Sequence, residues 1–354
     1  MPKTIFRGRE AVTIENENLR VTALVEGGHI AEVLEKRTGV SPLWVPHWTS
    51  IEPSLYTQQQ HPQFGSGSDA KLLAGIMGHN LCLDLFGAPS AEEAAIGYTV
   101  HGEGSVVRYE IDGSRDGLQI RAVFPLAQIS FLRSLQLHGN FVRIRETVRS
   151  LTAFDRPIAW TQHVTLGPPF LDPATTAFRA SMTRSVVASF DPGSGAYLKG
   201  DAEFDWPHAP GKDGGISDLR RMHPVAPASG YTAHLADPMR EDAYFVAYSP
   251  QYQLAFGCLW KRTDFPWMGI WEENCSRRQA PWNGCCITRG MEFGVSPFPE
   301  SRCATIDRRR LFDVPTYRWL RAMSRQEVEY WIYCQPSTCV PEAISAPSPV
   351  AKSG

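Results

Sequence analysis

Two side chains in separate parts of the sequence have the chemistry of an acid–base pair. His163 lies in the segment WTQHVTLG (160–167), and Glu292 lies in the segment RGMEFGVSPFP (289–299). Histidine titrates near neutral pH, and a glutamate held in a cleft can exchange protons in the same range. Each proton transfer by such a group typically contributes about 10²–10⁴ to a reaction rate. Each residue also has a structural interpretation, because a strand histidine can be hydrogen-bonded in a core and a strand glutamate can simply face solvent.

Aromatic residues near these two segments are compatible with binding of a sugar. Trp160, Trp267, Trp271 and Trp282 all lie close to them in sequence. Pyranose rings have apolar C–H faces on which an indole ring can stack, and Trp271 is our candidate for this contact. Most of these tryptophans are expected to fill the core, because a large sandwich needs bulky side chains.

Other kinds of chemistry have no motif in this sequence. There is no G-x-G-x-x-G, Walker A loop, G-x-S-x-G or H-E-x-x-H, so a nucleotide-binding site, a serine hydrolase and a zinc protease have no support. Cys275, Cys285 and Cys286 lie near one another, but they lack the paired C-x-x-C spacing of structural zinc sites. We therefore expect no bound metal, no cofactor and, with eight cysteines in 354 residues, no disulfide.

Composition and charge restrict the partners of the chain. The formal net charge is −2, whereas binding to a nucleic acid backbone requires clustered Lys and Arg. We expect no nucleic acid partner. The first residues contain no apolar segment typical of a secretory signal, and no later segment has the roughly 18 apolar residues that span a bilayer. These features predict a cytoplasmic protein that does not bind membranes.

The elements that must position the candidate residues are mainly β-strands. Apolar and polar residues alternate along much of the chain, which is the pattern of half-buried strands. Helical periodicity is restricted to short pieces at 69–77 and 315–322, too little for the crossovers of a parallel α/β fold. The predicted strands, besides those around 19–24, 118–122 and 142–149, are 105–112, 128–137, 156–166, 184–190, 243–249, 252–260, 267–272, 286–296 and 327–334.

So many antiparallel strands must cover their apolar faces with another sheet, which predicts a large all-β sandwich. We expect one domain over residues 1–335. The polar segments 47–70 and 205–242 are predicted to be long loops that form the walls of a cleft. The tail 336–354 is rich in Pro, Ser and Ala and is predicted to be disordered or loosely packed.

Several segments, taken in order, resemble the galactose mutarotase-like superfamily, which includes the aldose 1-epimerases. They are GGHIAEVL (27–34), LFG (85–87) with the pair His101-Gly102, and the segments containing His163 and Glu292. The specificity of the resemblance comes from the ordered set, because each match is short. It implies an all-β antiparallel sandwich, the galactose mutarotase-like supersandwich, with few short helices.

The resemblance also implies roles for individual residues. Glu292 would be the catalytic base, His163 the catalytic acid, and His101 a group that binds and polarises the sugar. The family's arginine upstream of the His-Gly pair is missing here, since no arginine lies between Arg37 and His101. Lys71 or His79 are candidates to replace it.

Two further substrate-binding candidates rest on position. The family's downstream substrate-binding aspartate has no clear match in this sequence, and Asp237 is a candidate by its position alone. Arg289, together with Arg133, keeps a phosphorylated sugar open as a substrate, although the motif segments lack the arginine cluster that a dianion favours.

The implied activity is that of a cofactor-independent aldose 1-epimerase. Such an enzyme interconverts sugar anomers by acid–base opening of the ring, and its partner is a small-molecule sugar. An alternative is a catalytically silent carbohydrate-binding protein of the same fold, and another is an accessory β-sandwich of polysaccharide-processing enzymes. The sequence leaves the sugar and the oligomeric state open.

Overall fold

The alternating segments of the sequence form antiparallel strands, and these assemble into two large sheets. A computed structural model describes residues 3–114, 117–191 and 193–347. Its strands are β1 Thr4–Phe6, β2 Arg9–Glu15, β3 Leu19–Leu24, β4 Ile30–Glu35, β5 His79–Asp84, β6 Glu110–Ser114, β7 Gly117–Phe124, β8 Ile129–His138, β9 Phe141–Ser150, β10 Arg156–Leu166, β11 Ala177–Ala180, β12 Met182–Val187, β13 Glu203–Asp205, β14 His208–Pro210, β15 Ile216–Asp218, β16 Ala228–Ala236, β17 Asp242–Ser249, β18 Leu254–Lys261, β19 Trp267–Asn274, β20 Ile287–Gly294, β21 Arg310–Leu311, β22 Val314–Pro315, β23 Arg318–Leu320 and β24 Arg325–Pro336.

Helices in the described residues are short. The α-helices are α1 Ala70–Gly75, α2 Ala91–Ala95 and α3 Arg302–Arg308, and the 3₁₀ helices are Pro53–Leu55, Pro62–Phe64 and Glu103–Ser105. None of the helices in the described part of the chain is long and apolar enough to cross a lipid bilayer. The all-β prediction with few short helices is confirmed.

The first sheet has 12 strands and the second has eight. The first runs in the order β1-β2-β3-β4-β5-β10-β20-β19-β16-β12-β13, with β23 also paired to β10, and the second runs β11-β17-β18-β24-β9-β8-β7-β6. Two small hairpins, β14-β15 and β21-β22, lie outside them. Strands that are distant in sequence, such as β5, β10 and β20, are therefore neighbours at the centre of the first sheet.

The main core lies between the two sheets. Trp160 and Phe293 from the first sheet and Phe131 and Tyr330 from the second belong to one buried apolar cluster, and Trp260 stacks on Phe293 with ring centroids 4.2 Å apart. Burial of this many large side chains stabilises the sandwich by about 1.5–3 kcal/mol per side chain.

The opposite side of the first sheet, which we call the outer face, is covered by loops. A second apolar cluster there joins strand residues such as Tyr231 and Trp271 to Trp44, Trp282 and Phe298 from connecting segments. Because successive strand residues point to opposite faces, each central strand contributes one set of side chains to the core and another to this loop-covered face.

Three sequence predictions differ from the structure. Residues 315–322 do not form a helix, because β23 pairs with Arg156–Ile158 of β10. Residues 205–242 are not one long loop, since they contain β14, β15 and the nine-residue β16. The short helices α2 and α3 were not predicted.

The tail is partly packed. Tyr244 Oη donates to the carbonyl of Glu342 at 2.7 Å, and Ile344 is buried in an apolar cluster on the second sheet. Gly257 leaves the space for this contact, because a Cβ there would lie 2.6 Å from Ile344 Cδ1. The tail therefore packs against the second sheet at Ile344, whereas its other residues from 336 to 347 are partly or fully exposed. Residues 348–354 lie outside the described part.

Candidate active site

His163 and Glu292 are directly opposite each other on neighbouring strands. The antiparallel register of β10 and β20 pairs the two residues, and directly opposed residues in such a pair point to the same face. His163 Nε2 lies 2.9 Å from Glu292 Oε1, and the two side chains are 5% and 2% exposed. The sheet thus holds an imidazole and a carboxylate in hydrogen-bond contact on its outer face.

The second ring nitrogen of His163 is also held. Nδ1 lies 3.0 Å from the hydroxyl of Thr165, which is two residues further along the same face of β10. An ionised carboxylate only accepts hydrogen bonds, so the contact with Glu292 requires the proton on Nε2. The Thr165 hydroxyl can donate to Nδ1 or accept from it, and both contacts fix the ring orientation.

His101 lies beside this pair at the end of a connecting segment. Its ring centroid is 5.1 Å from that of His163, and it stacks on Phe86 with centroids 5.8 Å apart. Burial, with the charges of His163 and Arg277, holds the pKa of His101 well below its ordinary value. His101 is therefore a neutral hydrogen-bonding group at pH 7, and its buried Nδ1 has no partner in the described residues.

The backbone explains why a glycine follows His101. His101 has a φ of 70° and Gly102 a φ of 78°, a left-handed conformation that glycine adopts without strain. A Cβ on Gly102 would lie 2.4 Å from the carbonyl oxygen of Leu83 in β5. The His-Gly pair therefore lets the connecting segment approach β5 closely enough to bring the imidazole to His163.

Trp271 forms another wall of the site. It lies two residues from Gly269, which pairs with Glu292, and its ring centroid is 6.1 Å from that of His163. Trp271 is 8% exposed, and its buried Nε1 has no hydrogen-bond partner in the part of the chain that the structure describes. A buried N–H without a partner costs about 1–3 kcal/mol, so this donor is suited to a ligand.

The segment 275–286, between β19 and β20, adds a tryptophan and a cation. Trp282 lies edge-on to Trp271 with centroids 6.0 Å apart. The guanidinium of Arg277 is 5.2 Å from the Trp271 centroid and 4.6 Å from that of Trp282. Arg277 also forms a 3.7 Å ion pair with Glu273, and burial lowers its pKa despite this carboxylate.

The pair is covered in this structure. A cavity of about 70 Å³ borders Tyr231 and is lined by residues that include Phe190 and Lys212. Pockets for small ligands usually measure about 300–1,000 Å³, so this cavity is too small for a sugar-sized ligand, and neither His163 nor Glu292 lines it. A larger groove of about 870 Å³ includes Trp331 and Lys261 of the second sheet, and neither member of the pair lines it.

Comparison with known proteins gives a consistent result for the fold. No protein-family model matches the chain, and no curated protein does. A solved structure of a putative aldose 1-epimerase from Klebsiella pneumoniae matches with a TM-score of 0.64 and 12% identity, over 94% of this chain and 80% of that one. A putative aldose 1-epimerase from Escherichia coli K12 matches with a TM-score of 0.61 and 12% identity, over 92% and 98%.

A galactose mutarotase related enzyme from Lactobacillus acidophilus matches with a TM-score of 0.58 and 12% identity, over 94% of this chain and 99% of that one. The chain has the galactose mutarotase-like fold. At this level of identity the likeness concerns the fold alone. The expected supersandwich is confirmed, whereas activity and substrate have to be argued from the site.

Within the galactose mutarotase-like sandwich, two predicted substrate-binding residues point away from the pair. His79 faces the core, where its Nε2 lies 3.0 Å from Gln162 Oε1. Arg289 lies 3.4 Å from Glu272 Oε1 and contacts Phe178. His79 and Arg289 each lie an odd number of residues along their strand from the position that is aligned with the His163–Glu292 pair. Because successive strand residues point to opposite faces of a sheet, both side chains point away from the pair.

The other two positional candidates also lie outside the site. Lys71 is on the exposed side of α1, and no described contact joins it to His163 or Glu292. Asp237 follows the end of β16, where its carboxylate accepts from Met239 N. It is four residues past Ala233, the position aligned with Gly269, which corresponds to about 13 Å along the strand.

Two residues of the site were missed in the sequence. Arg277, in the segment after β19, places a cation close to His101. The residues predicted to replace the missing arginine of the family instead lie upstream of His101. The motif RxxxxW (277–282), between two aromatic-rich strands, is the only feature that could have suggested it. No sequence pattern indicated that Tyr231 belongs to the site, because β16 comes near β20 only through the strand order of the first sheet.

No metal site accompanies these residues. Among residues 3–114, 117–191 and 193–347, no three His, Cys, Asp or Glu side chains form a group that could hold a metal ion. Near the segment 275–286, Cys285 Sγ lies 3.2 Å from His47 Nε2, and the eight cysteines of the chain are all free.

Proposed function

We propose that the protein interconverts the α and β anomers of a sugar by acid–base opening and closing of the ring. The observation on which this depends is the 2.9 Å contact between His163 Nε2 and Glu292 Oε1 on the outer face of the sheet. The hydroxyl oxygen O1 and the ring oxygen are bonded to the same carbon. A base for one and an acid for the other must therefore be neighbours, as these two groups are.

The proton transfers balance with these two residues. The step requires His163 as an imidazolium, protonated at both ring nitrogens. Glu292 removes the proton from O1 while His163 donates its Nε2 proton to the ring oxygen and becomes a neutral imidazole, and the bond between C1 and the ring oxygen breaks. Rotation about C1–C2 presents the other face of the aldehyde. Closure reverses both transfers, so Glu292 and His163 regain their starting protonation states and no cofactor is consumed.

The surrounding residues provide contacts for a neutral sugar. His101 is uncharged at pH 7 and has a free ring nitrogen, and the N–H of Trp271 lacks a partner in the described residues. Sugar hydroxyls both donate and accept, so they can satisfy these two groups. Arg277 holds its guanidinium over the rings of Trp271 and Trp282, where it can donate to a further hydroxyl.

A sugar-binding protein without catalysis is the second candidate. It is favoured by the coverage of the pair, whose side chains are only 5% and 2% exposed. Such a protein would use the same groups to hold a sugar and would release it unchanged. Binding and exchange therefore have to be measured on the same sugar.

Anomer exchange measured by NMR tests the proposal directly. Exchange between the α and β signals of a panel of aldoses is followed with the wild-type protein and with Glu292→Gln. We expect catalysed exchange for at least one sugar and a rate about 10²–10⁴ lower in Glu292→Gln, which is the usual effect of losing an acid–base group.

A matched control variant tests whether the loss of one negative charge elsewhere in the protein changes the rate. Glu329→Gln makes the same change at a partly exposed carboxylate that pairs with Arg143 and Arg145 on the second sheet, and it should leave the rate unchanged. If the wild-type protein accelerates exchange of no sugar in the panel, the proposal is wrong. A sugar that binds without accelerated exchange would support the second candidate.

A further inference from the structure

Two glycines keep a recess open beside Glu292. Gly269 is directly opposite Glu292 on β19, and a Cβ on it would lie 2.0 Å from the hydroxyl oxygen of Tyr231. A Cβ on Gly290 would lie 2.6 Å from Glu292 Oε1. Real Cβ contacts are longer than about 3 Å, since packed carbon atoms meet near 3.5–4.0 Å, so even alanine at either position would displace the hydroxyl or the carboxylate.

The recess is filled by a side chain from two strands away. Tyr231 belongs to β16 and pairs with Trp271, while Gly269 pairs with Ala233. The Tyr231 ring therefore crosses β19 over the bare backbone of Gly269 to reach the strand that contains Glu292. Tyr231 is 2% exposed, so its hydroxyl depends on protein partners.

The hydroxyl has one proton and two candidate acceptors, the carbonyl of Pro297 and the carboxylate of Glu292. It lies 3.2 Å from the carbonyl oxygen of Pro297, which is long for an O–H···O bond, and it lies over Gly269, the residue directly opposite Glu292. A carboxylate is the stronger acceptor of the two. Burial, followed by the charge of Glu292, raises the pKa of Tyr231 well above its ordinary value, so the hydroxyl remains a donor at neutral pH.

We propose that Tyr231 is a positioning residue for Glu292, whose carboxylate it holds from the β19 side while His163 holds it from the β10 side. The inference rests on the proposed function for its catalytic consequence, but the contact itself can be tested without turnover. Two fixed partners aim the carboxylate at the substrate, and Gly269 and Gly290 are required because they leave room for this arrangement.

Tyr231→Phe tests the role in catalysis. The variant keeps the ring and removes the hydroxyl. We expect kcat for anomer exchange to fall about 10–100-fold, the range of one hydrogen bond to a charged group, with KM nearly unchanged. The acidic limb of the pH–rate profile should move to higher pH, because a hydrogen bond that favours the ionised carboxylate is lost.

Two further variants test whether the lower rate of Tyr231→Phe comes from the lost hydroxyl contact or from a folding defect. Gly269→Ala should produce the same loss while retaining the hydroxyl, because the added methyl group occupies the space that the hydroxyl needs. Tyr244→Phe, which removes a buried hydroxyl that donates to Glu342 O on the second sheet, should leave rate and pH profile unchanged. An unchanged pH profile in both Tyr231→Phe and Gly269→Ala would overturn the inference.

A direct titration distinguishes this inference from the proposed function. The side-chain carboxyl of Glu292 is followed by ¹³C NMR in wild type and in Tyr231→Phe, without sugar. We expect the titration midpoint to rise by about one pH unit, the counterpart of a tenfold effect. A midpoint that does not move overturns the inference. A midpoint that moves in a protein without anomer exchange retains the Tyr231 contact and rejects the proposed function alone.

Discussion

Two buried carboxylates lie on opposite sides of β10, and they differ in how completely they are satisfied. Glu146, in the core between the sheets, accepts from four side chains. Its partners are Arg133 Nε at 2.8 Å, Trp160 Nε1 at 2.9 Å, Gln162 Nε2 at 2.7 Å and Tyr330 Oη at 3.0 Å. Glu292, on the outer face, lies 2.9 Å from His163 Nε2, and the Tyr231 hydroxyl is its proposed second partner.

In the part of the chain that the structure describes, unpaired buried polar atoms are more numerous around Glu292 than around Glu146, where Nδ1 of His79 is one. Beside Glu292, buried polar atoms of Thr161, His101 and Trp271 have no hydrogen-bond partner in the described residues. Buried polar groups are nearly always hydrogen-bonded, so a group of unpaired ones suggests a missing ligand. The comparison teaches that a saturated buried carboxylate holds the sandwich together, whereas an unsaturated one beside a histidine is available for chemistry.

Glu146→Gln should cause the largest loss of stability, because Glu146 is the saturated carboxylate of this comparison. The change leaves the guanidinium of Arg133 buried without its counter-charge, and loss of one partner of a buried ion pair costs about 3–5 kcal/mol. Urea denaturation measures the free energy of unfolding. Glu292→Gln, which leaves no guanidinium unpaired, should lower it by less than about 1 kcal/mol, and equal losses in both variants would contradict the distinction.

Acidification should have the second-largest effect, because it lowers the stability of a protein that contains buried neutral histidines. Burial lowers the pKa of His29 and of His234 to about 3, whereas both would titrate near 6.5 in the unfolded chain. The unfolded state therefore binds more protons between about pH 6.5 and 3, and stability falls as pH falls through this window. Each histidine contributes up to about 1.4 kcal/mol per pH unit.

The measurement is urea denaturation at pH 7 and pH 5.5. His234→Gln, with a side chain that does not titrate, should reduce the pH dependence of the free energy of unfolding. A variant with an undiminished pH dependence would show that His234 is not held neutral in the core.

Trp271→Phe should have the smallest effect on stability and on activity. It tests the comparison at a single N–H group. The variant keeps an aromatic face and removes a donor without a partner in the described residues, so the free protein should lose only the packing contacts that the smaller ring cannot make. KM for the sugar should rise by about 5–10-fold, as expected for one lost hydrogen bond of about 1 kcal/mol. The measurements are anomer exchange kinetics and urea denaturation.

Trp160→Phe is the matched control on the other side of the sheet. It removes an N–H that donates to Glu146 at 2.9 Å, so it should destabilise the protein by about 1.5–3 kcal/mol without changing KM. If Trp271→Phe were the more destabilising of the two, the N–H of Trp271 would have a structural partner.

The sequence predicted the strands well where both alternation and turn residues were present. The prediction of 156–166 coincides with β10, and 243–249 differs from β17 by one residue. These segments are long and their side-chain period is local. The segment 315–322 failed because its strand conformation depends on pairing with β10, a contact that no local pattern contains.

The same division applies to the site. The sequence alone determined that His163 and Glu292 lie in strands, that each shares a face with its second neighbours, and that the chain forms an all-β sandwich. Only the tertiary structure decided that β10 and β20 are adjacent in a register that pairs these two residues. It also decided that His79 and Arg289 face the core, that Tyr231 lies over Gly269 opposite Glu292, and that Arg277 lies over Trp271 and Trp282. The physical reason is that strand periodicity is set by neighbouring residues, whereas strand order and register are set by contacts between segments far apart in the chain.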